Sequence, residues 1–240
     1  MAEHIYGVIL AGGQGTRMGN IEKPKQFLEI GGRPVLIHTV EKFIVNPVFC
    51  EIIVLAPKQW LAYTRDIIRK WIPQYGKVAV IEGGSTRNET IMNAIQYIEE
   101  AGCLTEDALI VTHDSVRPFV TYRMIEENIR YARECGACDT VIPASDTIVA
   151  SRDGEFISNI PERRWMYQGQ TPQSFKAKKL REVYSSLSRD EKEVLTDACK
   201  IYVLKGEPVH LVEGDVSNIK ITYPHDLRVA EAMLGDEVSC

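Results

Sequence analysis

The sequence is poor in most of the features that announce a function outright. It has no basic excess: Lys plus Arg number 28 against 33 Asp plus Glu, a formal charge of −5. A general nucleic-acid binder needs a basic stripe to neutralise phosphates, so a nucleic-acid partner is not expected. No apolar run approaches the roughly 20 residues that span a bilayer, so a membrane partner is not expected either. Met1 to Leu10 lack the basic n-region, long apolar h-region and small-residue cleavage site of a signal peptide, and cytoplasmic residence is the expectation. Cysteine is sparse: six residues, at 50, 103, 135, 138, 199 and 240, are too few and too scattered for a disulfide scaffold. Cys135 and Cys138 form a lone C-x-x-C with no second pair to complete a zinc site. The five histidines form no H-E-x-x-H pattern.

What is present is ordinary globular composition, 45% apolar and 25% charged, over 240 residues. That length suits a single domain. Short apolar runs alternate with longer amphipathic segments. Strands are expected at Ile5–Leu10, Glu51–Ala56, Lys77–Ile81, Ala108–Thr112 and Asp139–Pro143. Helices are expected at Pro34–Ile44, Lys58–Ile72, Thr86–Glu100 and Thr121–Glu134, the last capped by Thr121 and stopped by Gly136. This β-α-β-α rhythm predicts an α/β fold, a mostly parallel sheet with helices on both faces. After Pro143 the rhythm breaks. Asp146–Ile160 reads as two short strands around a turn at Asp153-Gly154. An isolated ribbon is marginal in water, so this segment is expected to project and pack on a second subunit. Helices follow at Lys176–Leu187 and Ser188–Val203, short strands at Pro208–Val212 and Asn218–Thr222, and a last helix at His225–Leu234.

The first strand runs into Leu10-Ala11-Gly12-Gly13-Gln14-Gly15-Thr16-Arg17. Glycines there let backbone N–H groups cradle phosphate. The P-loop ending Gly-Lys-Ser/Thr is missing, because Thr16 and Arg17 follow Gly15. The dinucleotide fingerprint fails because Met18 stands where its third glycine belongs, which argues against a nicotinamide oxidoreductase. Arg17, Lys23 and Lys25 lie close by, and glycines with fixed cations suit a triphosphate being cleaved.

Leu10-Ala11-Gly12-Gly13, Gly15-Thr16-Arg17 and Lys23-Pro24-Lys25 together resemble the signature of sugar-phosphate nucleotidyltransferases. Five later motifs narrow the likeness. They are Gly83-Gly84-Ser85-Thr86-Arg87-Asn88-Glu89-Thr90, His113-Asp114-Ser115-Val116-Arg117-Pro118, Thr171-Pro172-Gln173, Thr196-Asp197-Ala198, and Asn218-Ile219-Lys220-Ile221-Thr222 with Pro224 and Asp226-Leu227. Over essentially the whole chain they resemble the cytidylyltransferases that use 2-C-methyl-D-erythritol 4-phosphate or ribitol 5-phosphate. The erythritol enzymes usually read His-Asp-Ala-Ala-Arg-Pro, with a Ser–Val pair after the glycine–arginine motif. The variants here, together with Tyr167-Gln168-Gly169-Gln170, look like the ribitol-5-phosphate enzymes of teichoic-acid (cell-wall polymer) synthesis. The methylerythritol enzyme of isoprenoid synthesis is the alternative.

The resemblance implies a Rossmann-like three-layer nucleotidyltransferase fold, a single domain over 1–240, with a protruding β-arm over 142–166 used for dimerisation. It implies a reaction of CTP with D-ribitol 5-phosphate to give CDP-ribitol and pyrophosphate, in a homodimer with shared active sites. The substrate's own phosphate is the nucleophile, so the absence of a Ser-His-Asp or Cys-His constellation agrees with this chemistry. By resemblance, Arg17, Lys25 and Lys220 are the catalytic cations. Leu10, Ala11, Gly12, Gly13 and Gly15 bind CTP, as do Gly83, Gly84, Ser85, Thr86, Arg87, Asn88, Glu89 and Thr90, the last by a hydroxyl hydrogen bond to the base. Asp114 and Ser115 face the ribose, with Asp114 also near Mg²⁺, the expected divalent cofactor. Thr147, Arg163, Thr171, Thr196 and Lys220 are the substrate side. Arg164, next to Arg163, is an alternative holder of the substrate phosphate. Arg117 is expected to brace the site from within.

Overall fold

The computed structural model of the chain describes residues 4–13, 18 and 23–237. Its first strand, β1 (Ile5–Leu10), is buried along its whole length. A 3-10 turn, Lys25–Phe27, leads to a two-stranded antiparallel ribbon of β2 (Glu29–Ile30) and β3 (Arg33–Pro34). Gly31 and Gly32, both at positive φ, make its two-residue turn. The chain continues through α1 (Val35–Ile44), β4 (Glu51–Ala56), α2 (Leu61–Trp71), β5 (Val78–Glu82), α3 (Arg87–Glu100), β6 (Leu109–Asp114), α4 (Tyr122–Cys135) and β7 (Ala137–Pro143). After a long excursion come β8 (Tyr167–Lys176), α5 (Ala177–Ser185), α6 (Arg189–Glu193), α7 (Cys199–Leu204), β9 (His210–Glu213) and α8 (Pro224–Glu237).

The main sheet has the order β5-β4-β1-β6-β8-β7-β9. Strands β5, β4, β1 and β6 run parallel, β8 is antiparallel to both β6 and β7, and β9 pairs parallel with β7. Alternate residues of each strand serve opposite faces. Ile5 and Ile9 of β1 join Ile52, Val54, Leu109 and Val111 against α1, α2 and α4. Tyr6, Val8 and Leu10 join Ile53 and Leu55 against α3, α5 and α7. The expected three-layer, mostly parallel α/β architecture is therefore present. A third, smaller core of Ile30, Val35, Val116, Phe119, Ile221 and Ala230 packs α8 against the ribbon and the loop after β6. Among the described residues, no helix is long and apolar enough to cross a membrane.

The capping signals are where the sequence places them. Thr121 accepts a hydrogen bond from Met124 N, and Gly136 ends α4 with φ 86°. Three of the expected segments differ, and β2, β3 and β8 were not expected. Over 146–160 the structure has one bridge, Ala150 to Asn159, in place of two strands. Asp153 explains this: its Oδ1 accepts from Glu155 N (2.9 Å) and Phe156 N (3.0 Å), which winds the tip into a polar turn instead of a ladder. Residues 188–203 form two short helices, α6 and α7, rather than one. Ser188 and Glu191 cap the first as a capping box, and Asp197 Oδ1 takes Lys200 N (3.0 Å) at the start of the second. Residues 218–222 form no strand.

Candidate active site

The carboxyl ends of β1, β5 and β6 open into a cleft of about 370 Å³. Ligands of open α/β sheets bind at this end. One wall is the turn after β1, where Gly12 and Gly13 line the cleft. Ala11 lies just behind it, fully buried. Its N–H donates to Leu55 O (2.8 Å), and its carbonyl accepts from Gln26 Nε2 (2.7 Å). Gln26 therefore ties the glycine turn to the Lys25 segment. Gly15 and Arg17 lie outside the described residues.

The opposite wall is the loop before α3. Gly84 N donates to Thr90 Oγ1 (3.0 Å), and that hydroxyl donates to Thr86 O (2.8 Å). A Cβ on Gly84 would collide with the Glu89 side chain and lie 2.8 Å from Glu89 C and Thr90 N, so only glycine fits. Thr86 and Glu89 form a capping box, and the Glu89 carboxylate also accepts from Ser85 N and Ser85 Oγ. The Ser85 hydroxyl and these N–H groups hold the Glu89 carboxyl below its ordinary range. Gly84, Ser85, Thr86, Arg87 and Thr90 thus line the cleft, while Gly83, Asn88 and Glu89 shape the loop from behind. The Thr90 hydroxyl proton is committed to Thr86 O.

At the floor, three cations surround Asp114. Arg87 Nη1 donates to its Oδ1, Lys220 Nζ meets its Oδ2 at 2.8 Å, and Arg117 Nε lies 3.7 Å from the same oxygen. Burial alone would raise this carboxyl. The charges of Arg87, Lys220 and Arg117 outweigh burial and hold it well below the usual carboxylate range. Arg117 also donates to Asn218 O (2.7 Å), which is the internal brace expected of it. Beside Asp114, His113 is fully buried. Its Nε2 meets Arg117 O at 3.0 Å and its Nδ1 meets Thr171 Oγ1 at 2.9 Å. Since a carbonyl only accepts, Nε2 carries the proton and Nδ1 accepts from Thr171. Burial pushes the His113 pKa down to about 4.

Lys25 enters from the 3-10 turn. It is buried, lines the cleft, and donates to Ile221 O at 2.9 Å. Leu10, Ser115 and Lys220 line the cleft as well, as do Gln26, Val116 and Thr222, to which the sequence reading gave no role. Gln26 had a legible signal, a polar residue two places from a proline beside the glycine loop. The substrate-side residues divide differently. Thr171 is buried, with its hydroxyl held between His113 Nδ1 and Asp114 N (3.2 Å) at the floor. Thr196 and Thr147 are exposed and outside the cleft. Arg163 is exposed on the excursion before β8, donating to Ser145 O at 3.0 Å. Its neighbour Arg164 pairs with Glu162 (2.6 Å) and stacks over Trp165. Lys220 sits on an irregular segment, not at a strand end.

As a metal site the cleft is sparse. Among the described residues no group of three His, Cys, Asp or Glu could enclose an ion. Asp114 is the one carboxylate of the described lining, and both its oxygens already face cations. This donor set suits a hard ion that arrives with the phosphates of a nucleotide and keeps its waters, not a protein-built cage.

Glycine turns at the strand ends, with fixed cations gathered on one buried carboxylate, define an α/β nucleotidyltransferase. The model of one family, IspD, 2-C-methyl-D-erythritol 4-phosphate cytidylyltransferase, matches residues 5–236. The chain belongs to that family and is a cytidylyltransferase. Solved structures agree. The 4-diphosphocytidyl-2C-methyl-D-erythritol synthase of Anaerococcus prevotii is 28% identical with a TM-score of 0.77, over 98% of this chain and 97% of its own. The 2-C-methyl-D-erythritol 4-phosphate cytidylyltransferase of Thermus thermophilus is 29% identical with a TM-score of 0.72, over 97% and 98%. That of Francisella tularensis is 26% identical with a TM-score of 0.79, over 95% and 99%.

Proposed function

We propose that the protein transfers the cytidylyl group of CTP to D-ribitol 5-phosphate, giving CDP-ribitol and pyrophosphate for teichoic-acid synthesis. What supports the choice of acceptor is the likeness of the variant motifs to the ribitol enzymes, at positions that belong to the nucleotide side of the cleft. Thr90, Ser115 and Val116, where the chain departs from the usual erythritol pattern, all lie on the cleft wall. The printed names of the similar structures favour a second acceptor, 2-C-methyl-D-erythritol 4-phosphate.

In this reading an oxygen of the acceptor's phosphate attacks the α-phosphorus of CTP, and the bond from that phosphorus to the β-phosphate bridging oxygen breaks. The attacking group has a second pKa near ~6 and is mostly dianionic at neutral pH, so no side-chain base is required. Lys25 and Lys220, with Arg17, offset charge gathering on the α-phosphate and on departing pyrophosphate. Asp114 keeps Lys220 and Arg87 in place before substrate arrives, which lowers reorganisation in the reaction. Backbone groups of 83–90 read cytosine. A divalent cation, Mg²⁺ in this reading, would supply charge neutralisation to the triphosphate, with Asp114 as its protein carboxylate. Residence is cytoplasmic.

The segment 142–166 serves as a dimerisation arm. It exposes Val149, Phe156, Ile157, Ile160 and Trp165, a concentration of apolar surface that a lone chain leaves in water. Arg163 lies outside its own cleft, which suits an arginine that reaches the acceptor phosphate in the partner's site. The product identifies the reaction: ³¹P NMR after incubation with CTP, Mg²⁺ and D-ribitol 5-phosphate is expected to show the diphosphate diester pair of CDP-ribitol beside pyrophosphate. Unchanged CTP would reject the proposal.

A further inference from the structure

We propose that Asp226 is a positioning residue for cytidylyl transfer, acting on Lys25 and Lys220 through the segment that joins them. The inference rests on the reaction proposed above. Residues 218–223 carry Lys220 and the carbonyl that receives Lys25, yet no strand ladder holds them. The Asp226 carboxylate, from the first turn of α8, does part of that task. Its Oδ2 accepts from Thr222 N at 2.7 Å and Tyr223 N at 2.8 Å.

The geometry at one peptide unit gives this contact its meaning. The carbonyl of Ile221 and the N–H of Thr222 belong to the same peptide group. Lys25 Nζ donates to that carbonyl at 2.9 Å, and the Asp226 carboxylate accepts from that N–H at 2.7 Å. A buried ammonium and a carboxylate therefore sit at opposite ends of one peptide dipole. Each favours the polarisation the other needs, and charge-assisted hydrogen bonds are the stronger kind. Asp226 thereby acts on where Lys25 points through the shared peptide. Ile221 N donates to Val116 O (2.9 Å), and Thr222 Oγ1 donates to Lys220 O (3.1 Å), so the same turn also sets the start of the Lys220 side chain. Asp226 does not line the cleft.

Two variants separate charge from shape. Asp226→Asn keeps an oxygen acceptor for the turn, and Asp226→Ala removes it. Displacing a reacting group by about 1 Å costs up to about 100-fold, so Asp226→Ala is expected to lower kcat by roughly 10- to 100-fold. The Kd for CTP is expected to stay within about threefold, with Asp226→Asn intermediate. In a Lys25→Ala background, Asp226→Ala is expected to cost clearly less than in the parent, the remainder being its effect through Lys220. Equal losses with and without Lys25, or a fall in CTP affinity matching the fall in kcat, would overturn the proposal.

A readout independent of turnover keeps it distinct from the acceptor assignment. Acylation of lysines followed by mass spectrometry, on the folded protein without nucleotide, is expected to label Lys25 severalfold faster in Asp226→Ala. Exposed Lys23 serves as reference. Unchanged Lys25 labelling in Asp226→Ala would overturn the positioning role. Lack of turnover by the unsubstituted protein would overturn only the acceptor reading.

Discussion

Asp114 and His113 are neighbours on one strand end, yet the fold gives them opposite treatment. The carboxylate is kept charged by Arg87, Lys220 and Arg117, and the imidazole is kept neutral by burial. A third group, Asp139, is raised to about 6, first by burial and then by the Asp197 charge. Both carboxylates accept from Gln173 Nε2, at 3.0 and 3.1 Å. These shifts set a pH dependence of stability. A depressed His113 contributes stability that is present above its unfolded value of 6.5 and is lost as pH falls through about 4. A raised Asp139 has the opposite sign: its contribution is present below 3.8 and is lost as pH rises through about 6. Asp139→Asn keeps an acceptor for Gln173 and removes the second effect. It is expected to stabilise the protein by about 1–2 kcal/mol at pH 7 and to steepen the loss of Tm below pH 6. Unchanged Tm at pH 7 would show that Asp139 ionises there without cost.

The elements whose sequence signals are local were legible, and those whose polar groups find distant partners were not. Ile52-Ile53-Val54-Leu55 is apolar on both faces and forms a doubly covered strand as expected. Thr86, Thr121 and Gly136 bound their helices through contacts within four residues. The β8 strand was invisible because its side chains read as loop: Gln170, Gln173 and Ser174 are polar. They are satisfied at Asp215, at Asp139 and Asp197, and at Asn128, none of them nearby in sequence. The segment 218–222 misled in the other direction, since alternating Ile219 and Ile221 resemble a strand but pack into the small core beneath α8. The same distinction holds in the cleft. Its glycines and cations were legible as motifs, whereas the inward commitment of the Thr90 and Thr171 hydroxyls was not. The loop before α3 offers a direct test at this scale. Gly84→Ala places a methyl against Glu89 and Thr90, so it is expected to weaken CTP binding by at least about tenfold, while far-UV circular dichroism stays near that of the parent. CTP affinity within twofold of the parent would mean that the loop rearranges freely and does not shape the nucleotide site.

The whole molecule presents a cleft rich in cations and, away from it, an apolar segment carrying Arg163. A two-fold dimer would bring the second to the first, because a symmetric pair repeats each contact twice. Lys25→Ala and Arg163→Ala chains are then each expected to be nearly inactive alone. Mixed after subunit exchange, they are expected to recover roughly a quarter of parent sites, since half the dimers are hybrids with one intact site each. No recovery after exchange verified by mass spectrometry would place both residues in the same chain's site.

Pyrophosphate release distinguishes the two acceptors. With CTP and Mg²⁺ held fixed, kcat/KM would be compared for D-ribitol 5-phosphate and 2-C-methyl-D-erythritol 4-phosphate. The expected result is a preference for the ribitol substrate of at least about 100-fold, the scale that a pocket built for one set of hydroxyls can reach. A preference for the branched substrate would contradict it and assign the protein to isoprenoid synthesis.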